Sequence, residues 1–206
     1  VVAAVKPQVI PNALAAISDQ LGPDTALLSI AAGLPTASLQ AYAGSDVPII
    51  RCMPNTPAMI GLGASALFAS ATVNAAHRAL AEQVTSATGT TVWVEDEALL
   101  DVVTAVSGSG PAYFFALIEA IAETGTELGL DAEVAMALTL QTAMGAAALA
   151  LKSDEGVAKL RENVTSPGGT TEEALRSLQA HHFDDVVKEA VKQCAARATT
   201  LGKEFG

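Results

Sequence analysis

Hydrophobic positions in the first 95 residues fall into short runs divided by stretches of helical period. The runs are residues 1–5 (VVAAV), 25–33 (TALLSIAAG), 47–53 (VPIIRCM), 63–70 (GASALFAS) and 91–95 (TVWVE). Helical spacing lies between them at residues 9–20, 36–42 and 74–87. A βαβαβ rhythm of this kind predicts parallel strands joined by crossover helices, half of a doubly wound sheet.

Beyond Glu95 the strand signals stop, and the rest of the chain reads as helices with recognisable ends. Pro111 suits a first helical turn after Gly108-Ser109-Gly110, and Gly129 ends that helix. Asp131 is placed to cap an apolar helix running to about residue 151, Ser153 one over residues 155–163, and Thr170 or Thr171 the next. Glu172 and Glu173 then fall in a first turn, where negative charge suits the helix dipole. A last helix covers residues 184–203. The expected fold is therefore α/β followed by all-α, dividing near residue 97 into 1–96 and 97–206.

Residues 134–151 carry no formal charge and approach the length of a membrane span. Seven of them are Ala, with Thr139, Gln141 and Thr142 among them, so insertion into lipid would be weakly driven. The expectation is a soluble helix buried on all sides between subunits, and hence an obligate dimer.

Composition narrows the function. Half of the residues are hydrophobic and 16% are charged, as in a well-packed globular chain. The net charge of −11 opposes binding to a polyanion, so no nucleic-acid partner is expected. Cys52 and Cys194 lack metal-ligand spacing, the three histidines do not sit at i, i+4, and no metal site is expected. No secretion signal is read at the start.

Two glycine stretches, Gly61-Leu62-Gly63 and Gly108-Ser109-Gly110, resemble pieces of a dinucleotide fingerprint, but neither joins a strand to a helix. Both read as tight turns or close packing. Ser166-Pro167-Gly168-Gly169-Thr170-Thr171 offers open N–H groups and two hydroxyls ahead of a helix, which makes either an anion pocket or a well-capped helix start. Lys6-Pro7-Gln8 and Arg51 to Pro57 each follow a strand, where α/β sheets bind ligands, or form stiff turns. Glu95, Asp96, Glu97 and Asp101 form an acidic patch at a helix start, solvated or complementing the dipole.

VKPQ, RCMPNTP, SGSGPAYFF and ENVTSPGGTTEEAL occur together, in an order and spacing that resemble the pyrroline-5-carboxylate reductases over nearly the whole chain. The resemblance implies a Rossmann-type domain binding NADPH or NADH, then a helical dimerisation and substrate domain, in a cytoplasmic homodimer that can assemble into a decamer. It implies that Ala4, Val5, Lys6, Pro7, Ile30, Ala31, Ala32 and Asn55 line the cofactor. Ser166, Gly168, Gly169 and Thr170 would cradle the carboxylate of pyrroline-5-carboxylate, and Thr171 would be the catalytic contact to the imine nitrogen. Glu97 and Asn163 would touch the ligand as well. Family members begin with a strand and a G-x-G-x-x-G/A turn, which this sequence does not contain; a sheet starting at a middle strand would expose an apolar edge, so omission from a longer protein is expected. The competing readings are a β-hydroxyacid-type reductase and a non-catalytic helical dimer scaffold.

Overall fold

A computed structural model describes residues 1–205 of the chain and divides them into two compact units. The first comprises Val1–Pro111 with the carboxyl end of the chain from Ala190, and the second is Ala112–Glu189.

The first unit is built on five strands in sequential order: β1 (Val2–Ala3), β2 (Leu27–Ser29), β3 (Ile49–Met53), β4 (Gly63–Ala69) and β5 (Gly89–Trp93). The first three are parallel, as their rhythm predicts, with Leu28 facing both Val2 and Ile50 across the ladder. They are linked through α1 (Ile10–Ala15) and α2 (Thr36–Ala43). β4 runs antiparallel to β3, because the link between them is a single 3-10 turn, Thr56–Ile60, too short for a crossover. α3 (Ala75–Ser86) then carries the chain to β5, parallel to β4.

Alternate residues of the central strands fill two cores. Leu27 and Ile49 pack with Ile10 and Leu14 of α1 and Leu39 of α2 on one face. Leu28, Ile50 and Leu67 pack with Ala81 of α3 on the other. β2 is buried on both sides, Ser29 included, so Leu27 and Leu28 can be apolar in succession with no exposed polar face between them.

Local chemistry sets the element ends. The Asn74 side chain accepts the His77 N–H at 3.0 Å and His77 Nδ1 accepts the Asn74 N–H, a capping box with His in the usual Glu position. The helix predicted over residues 9–20 is shorter: α1 stops at Ala15, where the Ser18 hydroxyl takes that carbonyl, and Ser18–Gln20 form a 3-10 turn. Gly61 (φ 74) ends the 3-10 turn after β3, while a Cβ on Gly63 would meet Ala58 at 2.8 Å; both are turn and packing glycines. After β5 come α4 (Leu99–Val103) and a π turn, Thr104–Gly108, where a Cβ on Gly108 would strike Met53 at 2.5 Å.

All remaining elements are helical: α5 (Gly110–Glu127), α6 (Ala132–Lys152), α7 (Val157–Asn163), α8 (Thr170–Ala180) and α9 (Phe183–Phe205). Gly129 (φ 104) closes α5 in a Schellman motif, with Leu130 N–H on Gly125 O and Gly129 N–H on Thr126 O. Asp131 caps α6 as predicted, accepting from Glu133 and Val134. Two expected caps move: α7 starts behind Gly156, with Ser153 instead accepting the Glu155 N–H, and α8 starts behind Gly169, putting Thr170 and Thr171 inside its first turn.

α6 is not buried within one protomer. Ala135 and Thr139 are covered, but Leu138 is 56% and Met144 59% exposed, and on α5 Phe114 is 66% exposed. The segments Leu99–Glu127 (29 residues) and Ala132–Lys152 (21 residues) are long and apolar enough to cross a membrane by length and composition.

Candidate active site

The carboxyl ends of β1, β2 and β3 lie side by side, and the loops that leave them gather eight of the expected cofactor residues. Ala4, Val5, Lys6 and Pro7 follow β1; Ile30, Ala31 and Ala32 follow β2; Asn55 follows β3. Ala4, Val5, Lys6, Ile30 and Ala32 are exposed, so the strip offers small side chains, open backbone and one cation. The Ile30 N–H bonds the Ala3 carbonyl at 3.2 Å, and the Ala31 N–H bonds Ser29 Oγ at 3.3 Å, so the second loop is pinned to the first. Beneath them is a cavity of about 140 Å³ walled by Pro7, Ala31, Ala32, Arg51, Met53 and Leu201. A crevice at the carboxyl ends of parallel strands is where sheets of this kind bind ligands.

Asn55 also serves the scaffold. Its Oδ1 accepts the Ala64 N–H at 2.9 Å and its Nδ2 donates to the Ser107 carbonyl at 3.1 Å, locking the loop after β3 to β4 and to the π turn.

Glu97 is tied as firmly. Its Oε1 accepts from Arg51 Nη1 at 2.8 Å, from the Thr36 N–H at 2.6 Å and from Thr36 Oγ1 at 2.8 Å. Burial by itself would raise its carboxyl pKa, but the bonds from Arg51 and Thr36 outweigh burial and hold it below 4.5. Arg51 opens the stretch read from the sequence as a ligand loop or a stiff turn, whereas Thr36 carries no such signal. The signal for the ion pair is a lone basic residue within an apolar strand, since a charge in such a place requires a partner.

In the helical unit, the Ser166 to Thr171 stretch forms a tight turn running into α8. Pro167 and Gly168 occupy its centre, Gly168 has φ 69, and the Gly169 N–H closes it on the Ser166 carbonyl at 2.9 Å. The Glu172 carboxylate reaches back to the Gly168 N–H at 2.7 Å. The first intrahelical bond runs from the Glu173 N–H to the Gly169 carbonyl, so the N–H groups of Thr170, Thr171 and Glu172 precede it. This is the open, positively polarised end of an 11-residue helix. Asn163, the last residue of α7, donates from Nδ2 to Glu155 Oε2 at 2.8 Å on the surface.

The fold and this arrangement define a class: a Rossmann-type α/β sheet with exposed loops at its strand ends, joined to an all-helical domain. The chain belongs to the pyrroline-5-carboxylate reductase family. Residues 97–201 match the family model described as pyrroline-5-carboxylate reductase dimerisation. The pyrroline-5-carboxylate reductase of Pseudomonas aeruginosa is 50% identical over 206 residues, which is all of this chain and 76% of that protein. A pyrroline-5-carboxylate reductase structure from Coxiella burnetii superposes with a TM-score of 0.93 at 40% identity, over 97% of this chain and 74% of that one. The Plasmodium falciparum enzyme, solved with NADP bound, gives 0.89 at 33% identity over 98% and 76%. Membership sets aside the β-hydroxyacid-type reductase reading. It also places α5 and α6, with their exposed apolar faces, in the part of the chain named for dimerisation.

Proposed function

We propose that this chain reduces Δ1-pyrroline-5-carboxylate to L-proline with NADPH or NADH, acting as a homodimer that can assemble into a decamer in the cytoplasm. The observation that carries the chemistry is the open start of α8 behind the Ser166–Gly169 turn. The substrate is a small anion with one electrophilic C=N bond, and an anion is drawn to a helix N-terminus whose first N–H groups are unspent. Ser166, Gly168, Gly169 and Thr170 shape the cradle for its carboxylate; because the Gly168 and Gly169 N–H groups are held by Glu172 and by the Ser166 carbonyl, the donors that remain are the Ser166 hydroxyl and the N–H and hydroxyl of Thr170.

The Thr171 hydroxyl, one residue into α8, bonds the ring nitrogen and orients the imine face. The bound cofactor supplies the hydride. As the new C–H bond forms, the C=N π pair moves onto nitrogen, which accepts a proton and becomes the proline amine. No His, Lys or acidic dyad is assigned as general acid, so the proton arrives with the substrate or from water. Ala4, Val5, Lys6, Pro7, Ile30, Ala31, Ala32 and Asn55 form the cofactor strip, where Lys6 provides positive charge for a phosphate-bearing ligand. The protein's contribution is position and electrostatics.

The test is to follow NADPH absorbance with the purified protein in the presence and absence of pyrroline-5-carboxylate. Oxidation that requires the imine supports the reading. Absence of oxidation at any cofactor concentration leaves a non-catalytic helical dimer in its place.

A further inference from the structure

α2 begins in a way its own sequence does not complete. The helix starts at Thr36 behind Pro35, whose side chain can accept no hydrogen bond, so its first turn has no local cap. The acceptor comes from far along the chain: Glu97 Oε1 takes both the backbone N–H and the hydroxyl of Thr36. A carboxylate at that point also complements the positive end of the helix dipole.

The same oxygen binds Arg51, in the middle of β3, and the two side chains are 11% and 29% exposed. One atom thus joins a central strand, the start of α2 and the segment entering α4. Between β2 and α2 lies the loop of residues 30–35. Its near end is held by Ala3 and Ser29, as described above, and its far end by Glu97. Arg51 also walls the cavity beneath Ala31 and Ala32.

We propose that Glu97 is a positioning residue for the cofactor: paired with Arg51, it clamps the start of α2 and so fixes the loop of residues 30–35 on which the dinucleotide rests. The inference rests on the reductase reading, which makes that loop a cofactor loop. It differs from direct contact between Glu97 and the imine, the role implied by the family resemblance. A clamp alters the affinity of what the loop holds; a substrate contact alters the affinity and turnover of the imine.

The experiment compares the wild type with Glu97→Ala, Glu97→Gln, Thr36→Val and the double variant Glu97→Ala/Thr36→Val. Three quantities are measured: the NADPH dissociation constant by fluorescence titration, the KM of each substrate, and kcat. Glu97→Ala is expected to weaken NADPH about tenfold, the worth of one or two hydrogen bonds, while kcat and the imine KM move less than about threefold. Glu97→Gln keeps an oxygen that can accept both Thr36 donors, so it recovers most of the affinity. Thr36→Val shows a smaller loss in the same direction and adds little to Glu97→Ala, because both variants act on one contact. A raised imine KM with unchanged NADPH affinity overturns the clamp in favour of substrate contact. Unchanged affinity for both ligands with a lowered Tm reduces Glu97 to a role in stability alone. A wild type that neither binds nor oxidises NADPH sinks the reductase reading and the clamp together, whereas an active wild type with an NADPH-indifferent Glu97→Ala sinks only the clamp.

Discussion

Gly89→Ala tests whether the start of β5 is held by a backbone contact that no side chain can enter. Gly89 has φ 142 and pairs with Gly63 in the β4–β5 ladder. A methyl group placed on it would lie 2.0 Å from the Gly63 carbonyl oxygen, 2.4 Å from its nitrogen and 2.7 Å from its carbonyl carbon. All three are backbone atoms, so no rotamer change relieves the clash, and β5 has to withdraw by more than 1 Å, on the order of the overlap with a normal contact of about 3.5 Å. The backbone strain costs about 1–3 kcal/mol, and losing two ladder hydrogen bonds costs about 1 kcal/mol each. A total of about 3–5 kcal/mol lowers Tm by roughly 10 °C in a domain of this size. Thermal unfolding at equal protomer concentration is the assay, followed by circular dichroism and by emission of Trp93, the single tryptophan at the far end of β5. Gly22→Ala is the control, because its Cβ would meet nothing within 4 Å. A Gly89→Ala Tm within 2 °C or so of wild type would refute the reasoning, since that corresponds to under about 1 kcal/mol.

Thr171→Ala is expected to lower kcat/KM by about tenfold to a hundredfold, the value of one or two hydrogen bonds in the transition state, and unchanged kinetics would remove Thr171 from the mechanism. Burial pushes the Cys52 thiol up to about 11 from 9.0, against a smaller opposing effect of its bond with Ser65, so it should resist thiol reagents at pH 8 until the protein is unfolded. Because the folded pKa is the higher one, the stability linked to Cys52 is complete below pH 9 and is lost as pH rises towards 11, by at most about 2–3 kcal/mol; Cys52→Ala should flatten that slope in denaturant titrations. His182 follows α8 with φ 55, donating its N–H to the Gln179 carbonyl at the position where helices favour glycine. His182→Gly should raise Tm by about 1–3 °C, strain relief being partly offset by unfolded-state entropy, and a fall in Tm would show that the strain is absent.

The sequence by itself determined the elements and the family. Apolar runs such as TALLSI and VPIIRCM could form only buried strands, and Asp131, Gly129 and the Ser166–Thr171 stretch each carry the local chemistry that ends or begins a helix. These features depend on a few neighbouring residues, so they can be read along the chain. The division of site residues between scaffold and ligand could not. Asn55 and Glu97 stand in motifs that suggest ligand contact, and the structure adds scaffold bonds that the motifs do not announce: Asn55 with Ala64 and Ser107, and Glu97 Oε1 with Arg51 and Thr36, partners 9 to 61 positions away. The antiparallel course of β4, the shortened α1 and the exposure of α6 in one protomer likewise follow from connection length, local capping and the presence or absence of a covering surface. A hydrogen-bonding side chain has a fixed capacity but no address, and only the tertiary structure decides which distant donor uses it.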